Sequence, residues 1–119
     1  MKQLVFSLFG MALVAGCAST DGAATATKTD PIPYTLDSRG IQLVASPLRI
    51  DFGRTDHSTV AAMDKLVGQG PVSRAVCPDG SPFVVWADGT RLNFRGGAFR
   101  GWSKTAADGI VQAAGQTCG

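Results

Sequence analysis

The stretch PFVVWADGTRLNFRGGAFRGWS, residues 82–103, leaves little freedom in how it folds. Two turn dipeptides, Asp88-Gly89 and Gly96-Gly97, interrupt runs of apolar and β-branched residues, so two consecutive β-hairpins are expected. With two residues in each loop, Ala87 pairs with Thr90 and Arg95 with Ala98. Strand alternation then places Phe83, Val85, Leu92, Phe94 and Phe99 on one face, fit to pack against a helix. The other face carries Val84, Trp86, Arg91, Asn93, Arg95, Arg100 and Trp102. In this register Arg91 lies between the two indoles in a cation–π ladder. Two readings of that face stay open. Trp86, Arg91, Asn93, Arg95, Arg100 and Trp102 form a binding surface for a glycan, an anionic polymer or a protein. Alternatively the ladder stiffens an exposed sheet, or the C-terminal tail covers it.

The segment before the hairpins supplies a helix. Val60, Met63, Leu66 and Val67 form an apolar stripe at helical spacing, and Thr55 or Ser58 can cap its start. Gly68 suits a C-cap with positive φ, and Gly70-Pro71 prevents continuation. Upstream, Leu48, Ile50 and Phe52 alternate with Arg49 and Asp51 as a strand ended by Gly53, and a further short strand over 41–45 is possible. Val72 to Cys77 reads as a strand leading through Pro78-Asp79-Gly80 into the hairpins. The tail from Thr105 has little periodicity and is expected to be irregular or a short turn. The fold class is α+β, with one helix on a small antiparallel sheet of three to five strands. It follows a leader at 1–16 and a flexible tether at 17–33, so the domain is residues 34–119.

The leader reading rests on Met1-Lys2 followed by an apolar run from Leu4 to Ala15, the length of a signal peptide and too short for a lasting membrane span. Leu13-Val14-Ala15-Gly16-Cys17 resembles a bacterial lipobox. The resemblance implies cleavage before Cys17, acylation of that residue and attachment to a membrane, and Ala18 after it goes with transport to the outer membrane. With Cys17 taken by lipid, Cys77 and Cys118 remain. In an oxidising periplasm they are expected to form one disulfide, closing a loop worth about 3–4 kcal/mol of chain entropy. A metal or redox site is disfavoured, because the chain has one histidine and no Cys-x-x-Cys. Eleven Lys and Arg stand against nine Asp and no Glu, a balance that speaks against nucleic acid as a partner.

No cofactor motif is present, and no Gly-rich loop joins a strand to a helix in the phosphate-binding pattern. Asp56-His57-Ser58 holds the residue types of a triad, but neighbours at a helix start diverge in direction, so the chain is read as non-enzymatic. Trp86-x-Asp88-Gly89-x-x-Leu92-x-Phe94-x-x-Gly97-x-Phe99-x-Gly101-Trp102, with Gly68-Gln69-Gly70-Pro71 upstream, resembles small uncharacterised exported proteins of proteobacteria. That resemblance covers about 48–103 and implies a helix-then-sheet fold with no assigned activity. The chain is also similar to periplasmic lysozyme inhibitors in being a small disulfide-bearing β lipoprotein, although Ala107-Asp108-Gly109-Ile110 does not match their Ser-Gly loop. The expected role is structural or protein-interacting, at the periplasmic side of the outer membrane. The alternatives are a binding module for cell-wall glycan or anionic polymer, and an inhibitor of a hydrolase such as lysozyme.

Overall fold

A computed structural model describes residues 28–118. The leader and Cys17 lie outside the described residues. The chain runs β1 (Tyr34–Asp37), β2 (Gly40–Leu43), β3 (Arg49–Asp51), α1 (Asp56–Val67), β4 (Ser73–Val76), β5 (Pro82–Val85), β6 (Thr90–Arg95), β7 (Ala98–Thr105) and β8 (Val111–Gly115). Two antiparallel meanders result, β1-β2-β3 and β4-β5-β6-β7-β8. The α+β class holds, with two corrections. A separate three-stranded sheet precedes the helix. The tail also forms a strand, β8, at one edge of the larger sheet.

One local device builds the larger sheet. The loops Pro78-Asp79-Gly80, Ala87-Asp88-Gly89 and Ala107-Asp108-Gly109 are the same turn. In each, the glycine sits at φ 89–91°. Its N–H donates to the carbonyl three residues back: Gly80 to Cys77, Gly89 to Trp86, Gly109 to Ala106. The aspartate Oδ1 accepts from the N–H two residues on, at 2.9 Å from Ser81 and 3.0 Å from Thr90 and Ile110. This is the three-residue hairpin loop, a type I turn closed by a left-handed residue. The fourth connection, Gly96-Gly97 at φ 62° and 78°, is the two-residue turn.

The longer loop at 87–89 corrects the sequence-based register. Trp86 N–H donates to Thr90 O at 2.9 Å, and Val85 pairs with Arg91 where Ala87–Thr90 pairing had placed Leu92 opposite it. One residue of slip exchanges the faces that β5 and β6 share. A bulge between Asn93 and Phe94 does the same for β7: Phe94 pairs with Phe99, yet Leu92 pairs with Trp102. Val84, Trp86, Leu92, Phe94, Phe99 and Trp102 therefore share one buried face.

That face is roofed by α1 and by the small sheet. Thr55 caps α1, Gly68 ends it at φ 89°, and Thr59, Met63 and Leu66 are its buried residues. Thr59 joins Met63 and Leu66 as buried, while Val60 and Val67 of the expected stripe pack partly buried against the core. The Thr59 hydroxyl donates to Thr55 O at 2.7 Å, so no polar group is stranded. Ile41 and Ile50 bring the small sheet into the same core. Each indole N–H then fastens one roof element. Trp86 Nε1 donates to Asp64 Oδ1 of α1 at 2.8 Å, and Trp102 Nε1 donates to Asp37 O of β1 at 2.7 Å. Part of the segment read as tether is docked: Thr29 N–H donates to Gly68 O at 2.7 Å and Ile32 N–H to Leu66 O at 2.8 Å.

Candidate functional site

The Trp–Arg surface expected from the sequence is not assembled. Trp86 is 1% exposed and Trp102 4%, both on the core side. Arg91 lies on the opposite face and stacks on Phe83, its guanidinium carbon 4.0 Å from the ring centroid. Asn93 is buried on that outer face beneath the Cys77–Cys118 disulfide, its Nδ2 at 3.5 and 3.6 Å from the two sulfurs. Among the described residues its Oδ1 has no partner. Arg95 pairs with Asp79 of the β4–β5 turn. Arg100 is exposed and has no partner across the ladder, at the bulge in β7. The six residues thus do not form one surface, because the two tryptophans lie on the core side and the others do not.

The disulfide itself shapes the outer face. Cys77 follows β4 and Cys118 follows β8, so the bond joins the two ends of a five-stranded meander. To reach Cys77 the tail turns at Gly115, φ 76°, and crosses over Gly101. A Cβ added to Gly101 would lie 2.0 Å from Gln116 O, so only glycine fits beneath the crossing.

The three triad-like neighbours separate. Asp56 Oδ1 accepts from His57 N–H at 2.6 Å. Ser58 Oγ lies 2.8 Å from Thr55 Oγ1 in the capping network, and His57 is exposed. No nucleophile is poised against a base here. Among the described residues no three His, Cys, Asp or Glu side chains gather to hold a metal.

The larger sheet has two edges, β4 and β8, and of these β4 stands beside a groove under α1. β4 is the first strand of the larger sheet, among the described residues it pairs only with β5, and all four of its residues are exposed. Its pairing fixes which backbone groups are free. Cys77 N–H donates to Ser81 O at 2.8 Å, so alternation turns the groups of Ser73 and Ala75 toward β5 and those of Arg74 and Val76 outward. Pro82 agrees, since it faces Val76 and has no N–H to give. The groove beside this edge, of about 460 Å³, runs between α1 and β4–β6. Val60, Ala61, Pro82, Val84 and Phe94 make its apolar lining. Asp56, His57 and Asp64 come from the helix and Arg74 from the strand. Val76 lies on the same side of β4 as Arg74 and is 63% exposed.

Sequence reasoning read Val72 to Cys77 as a strand leading into the hairpins and left its place in the sheet unassigned, so it missed this site. Nothing in Ser73–Val76 itself marks an edge strand; its place follows from the order of strands in the sheet.

Two ion pairs brace the small sheet. Arg49 on β3 reaches Asp37 of β1 and Asp51, both at 2.8 Å. The Arg49 hydrogen bond, with the Arg39 N–H, holds the Asp37 carboxyl well below the ordinary aspartate range. At the β5–β6 turn, burial works against ionisation of Asp88. Hydrogen bonds from the Tyr34 hydroxyl and from Thr90 outweigh it, and the carboxyl is lowered. Burial, then the Asp88 contact, pushes the Tyr34 phenol up.

Comparison with family models, curated proteins and solved structures finds no match for this chain.

Proposed function

We propose that the chain is a lipid-anchored envelope protein of non-enzymatic role whose domain binds another envelope protein at the β4 edge. An extended partner segment adds to β4 as a further strand. Its backbone pairs with the outward groups of Arg74 and Val76, and alternate side chains enter the groove against Val60, Val84 and Phe94. The free edge beside a groove is the observation that carries this reading. A long exposed edge is a hazard unless it is blunted or used, and β4 has neither a proline nor a bulge within Ser73–Val76. The charges make the site selective: Asp56 and Asp64 favour a basic partner residue over the helix, and Arg74 an acidic one over the strand.

The envelope address is supported by the lipobox-like Leu13 to Cys17 segment and by the Cys77–Cys118 disulfide, a bond suited to an oxidising compartment. Glycan binding loses its platform, because a stacking site needs open aromatic faces and both tryptophans are buried.

The reading is tested by placing a photoreactive residue at Val76, and at Val111 on the opposite edge as control, in intact cells. A discrete protein adduct from position 76 and none from 111 is expected. No adduct at 76, or equal capture at both edges, contradicts it.

A further inference from the structure

Helix α1 has a second open flank. Between it and β2–β3 lies a groove of about 580 Å³ floored by Leu43, Ile50 and Leu66. Its chemistry differs from that of the β4 groove. No carboxylate lines it, whereas Arg54 and Lys65 do, and among the described residues neither makes an ion pair. Ile32 and Leu48 line its margin at 42% and 65% exposure. Val44, 60% exposed, sits beside them through its N–H to Pro33 O at 3.1 Å. Three large apolar side chains facing water next to unpaired cations are a feature of surfaces that meet a bilayer.

The course of the chain says which surface this is. Thr29 and Ile32 are hydrogen-bonded along the C-terminal end of α1, so the chain enters the domain at this flank. Cys17 lies eleven positions before Lys28. Even fully extended, that length reaches only about 40 Å. A lipid on Cys17 would keep this flank close to the membrane.

We infer that the α1/β2–β3 flank rests on an anionic bilayer surface, with Ile32, Val44 and Leu48 at the headgroup boundary and Arg54 and Lys65 against lipid phosphates. The inference rests on reading Cys17 as the anchor. It leaves the β4 edge, on the other flank of α1, facing away from the lipid and free for a partner.

The test uses the full chain on vesicles of phosphatidylcholine, with and without phosphatidylglycerol, followed by amide hydrogen exchange. Intact mass reports the Cys17 lipid separately. Exchange over 43–50 and 54–66 is expected to slow severalfold only on the phosphatidylglycerol vesicles, while 73–76 exchanges equally on both. Arg54→Gln with Lys65→Gln should abolish the difference, and Leu48→Ser should reduce it. Equal exchange on both vesicle types, or a difference that survives the double substitution, overturns the inference. Protection by a soluble anionic amphiphile alone, without added protection on vesicles, overturns it in favour of a small-ligand groove. If mass shows no lipid on Cys17, the anchor reading fails. Protection that still requires phosphatidylglycerol, Arg54 and Lys65 would then uphold the surface by itself.

Discussion

Trp86 and Trp102 show how much one residue of register decides. Both look like members of an exposed ladder when Asp88-Gly89 is taken as a two-residue turn. Ala87 joins the turn, and β5 changes partners across β6. The bulge between Asn93 and Phe94 then brings Trp102 over to the same side. Neither step is visible in residue types alone, although Pro78 in the sister turn hinted at the longer loop, because proline favours the first central position of a type I turn. The burial has a direct check. These are the only two tryptophans, so emission should be blue-shifted and resist acrylamide. Red-shifted, readily quenched emission would contradict the fold. The pH dependence also belongs to single residues. Asp37 and Asp88 both have lowered folded-state values. Their contribution is complete above the ordinary aspartate value of about 3.9 and is lost as pH falls through the folded values. Stability should therefore decline on acidification below about pH 4. Asp37→Asn should flatten that decline in denaturant titrations at stepped pH. An unchanged slope would mean Arg49 does not hold Asp37 as described.

At the scale of elements, the helix was legible almost to its caps. Thr55, Gly68 and the 3.6-residue stripe each state a local requirement that the fold keeps. The hairpin positions were legible for the same reason, and the Cys77–Cys118 bond was legible from counting cysteines once Cys17 is set aside. β1 and β8 were not. Tyr34–Asp37 alternates too briefly to stand out, and Val111–Gly115 is rich in alanine and ends in glycine, so its pairing with β7 comes from context. The Asp108-Gly109 turn was the available signal, since it repeats the turns at 79–80 and 88–89. The disulfide ties this weak strand down. Cys77→Ser with Cys118→Ser should lower stability by about 3–4 kcal/mol. Hydrogen exchange should rise first in β8 and the crossing over Gly101. A loss spread evenly through α1 and β6 would place the role of the bond elsewhere.

Across the whole molecule, one helix separates two unlike surfaces. The flank toward β2–β3 is apolar and cationic and lies where the chain enters. The flank toward β4 joins a free strand edge to a groove of mixed charge. The proposed membrane contact on one side and the proposed partner on the other would give each flank of α1 a use. The helix is legible in the sequence, but the β4 surface emerges only when the order of strands in the sheet is known. The most direct test compares Arg74→Pro with Arg74→Ala by co-isolation of the partner crosslinked at Val76. Both remove the side chain, but only proline removes the outward N–H, and at an edge it leaves the β5 ladder intact. The account predicts that Arg74→Pro abolishes the complex while melting near the Arg74→Ala protein, which retains the partner. Equal retention by the two variants would show that nothing adds to β4.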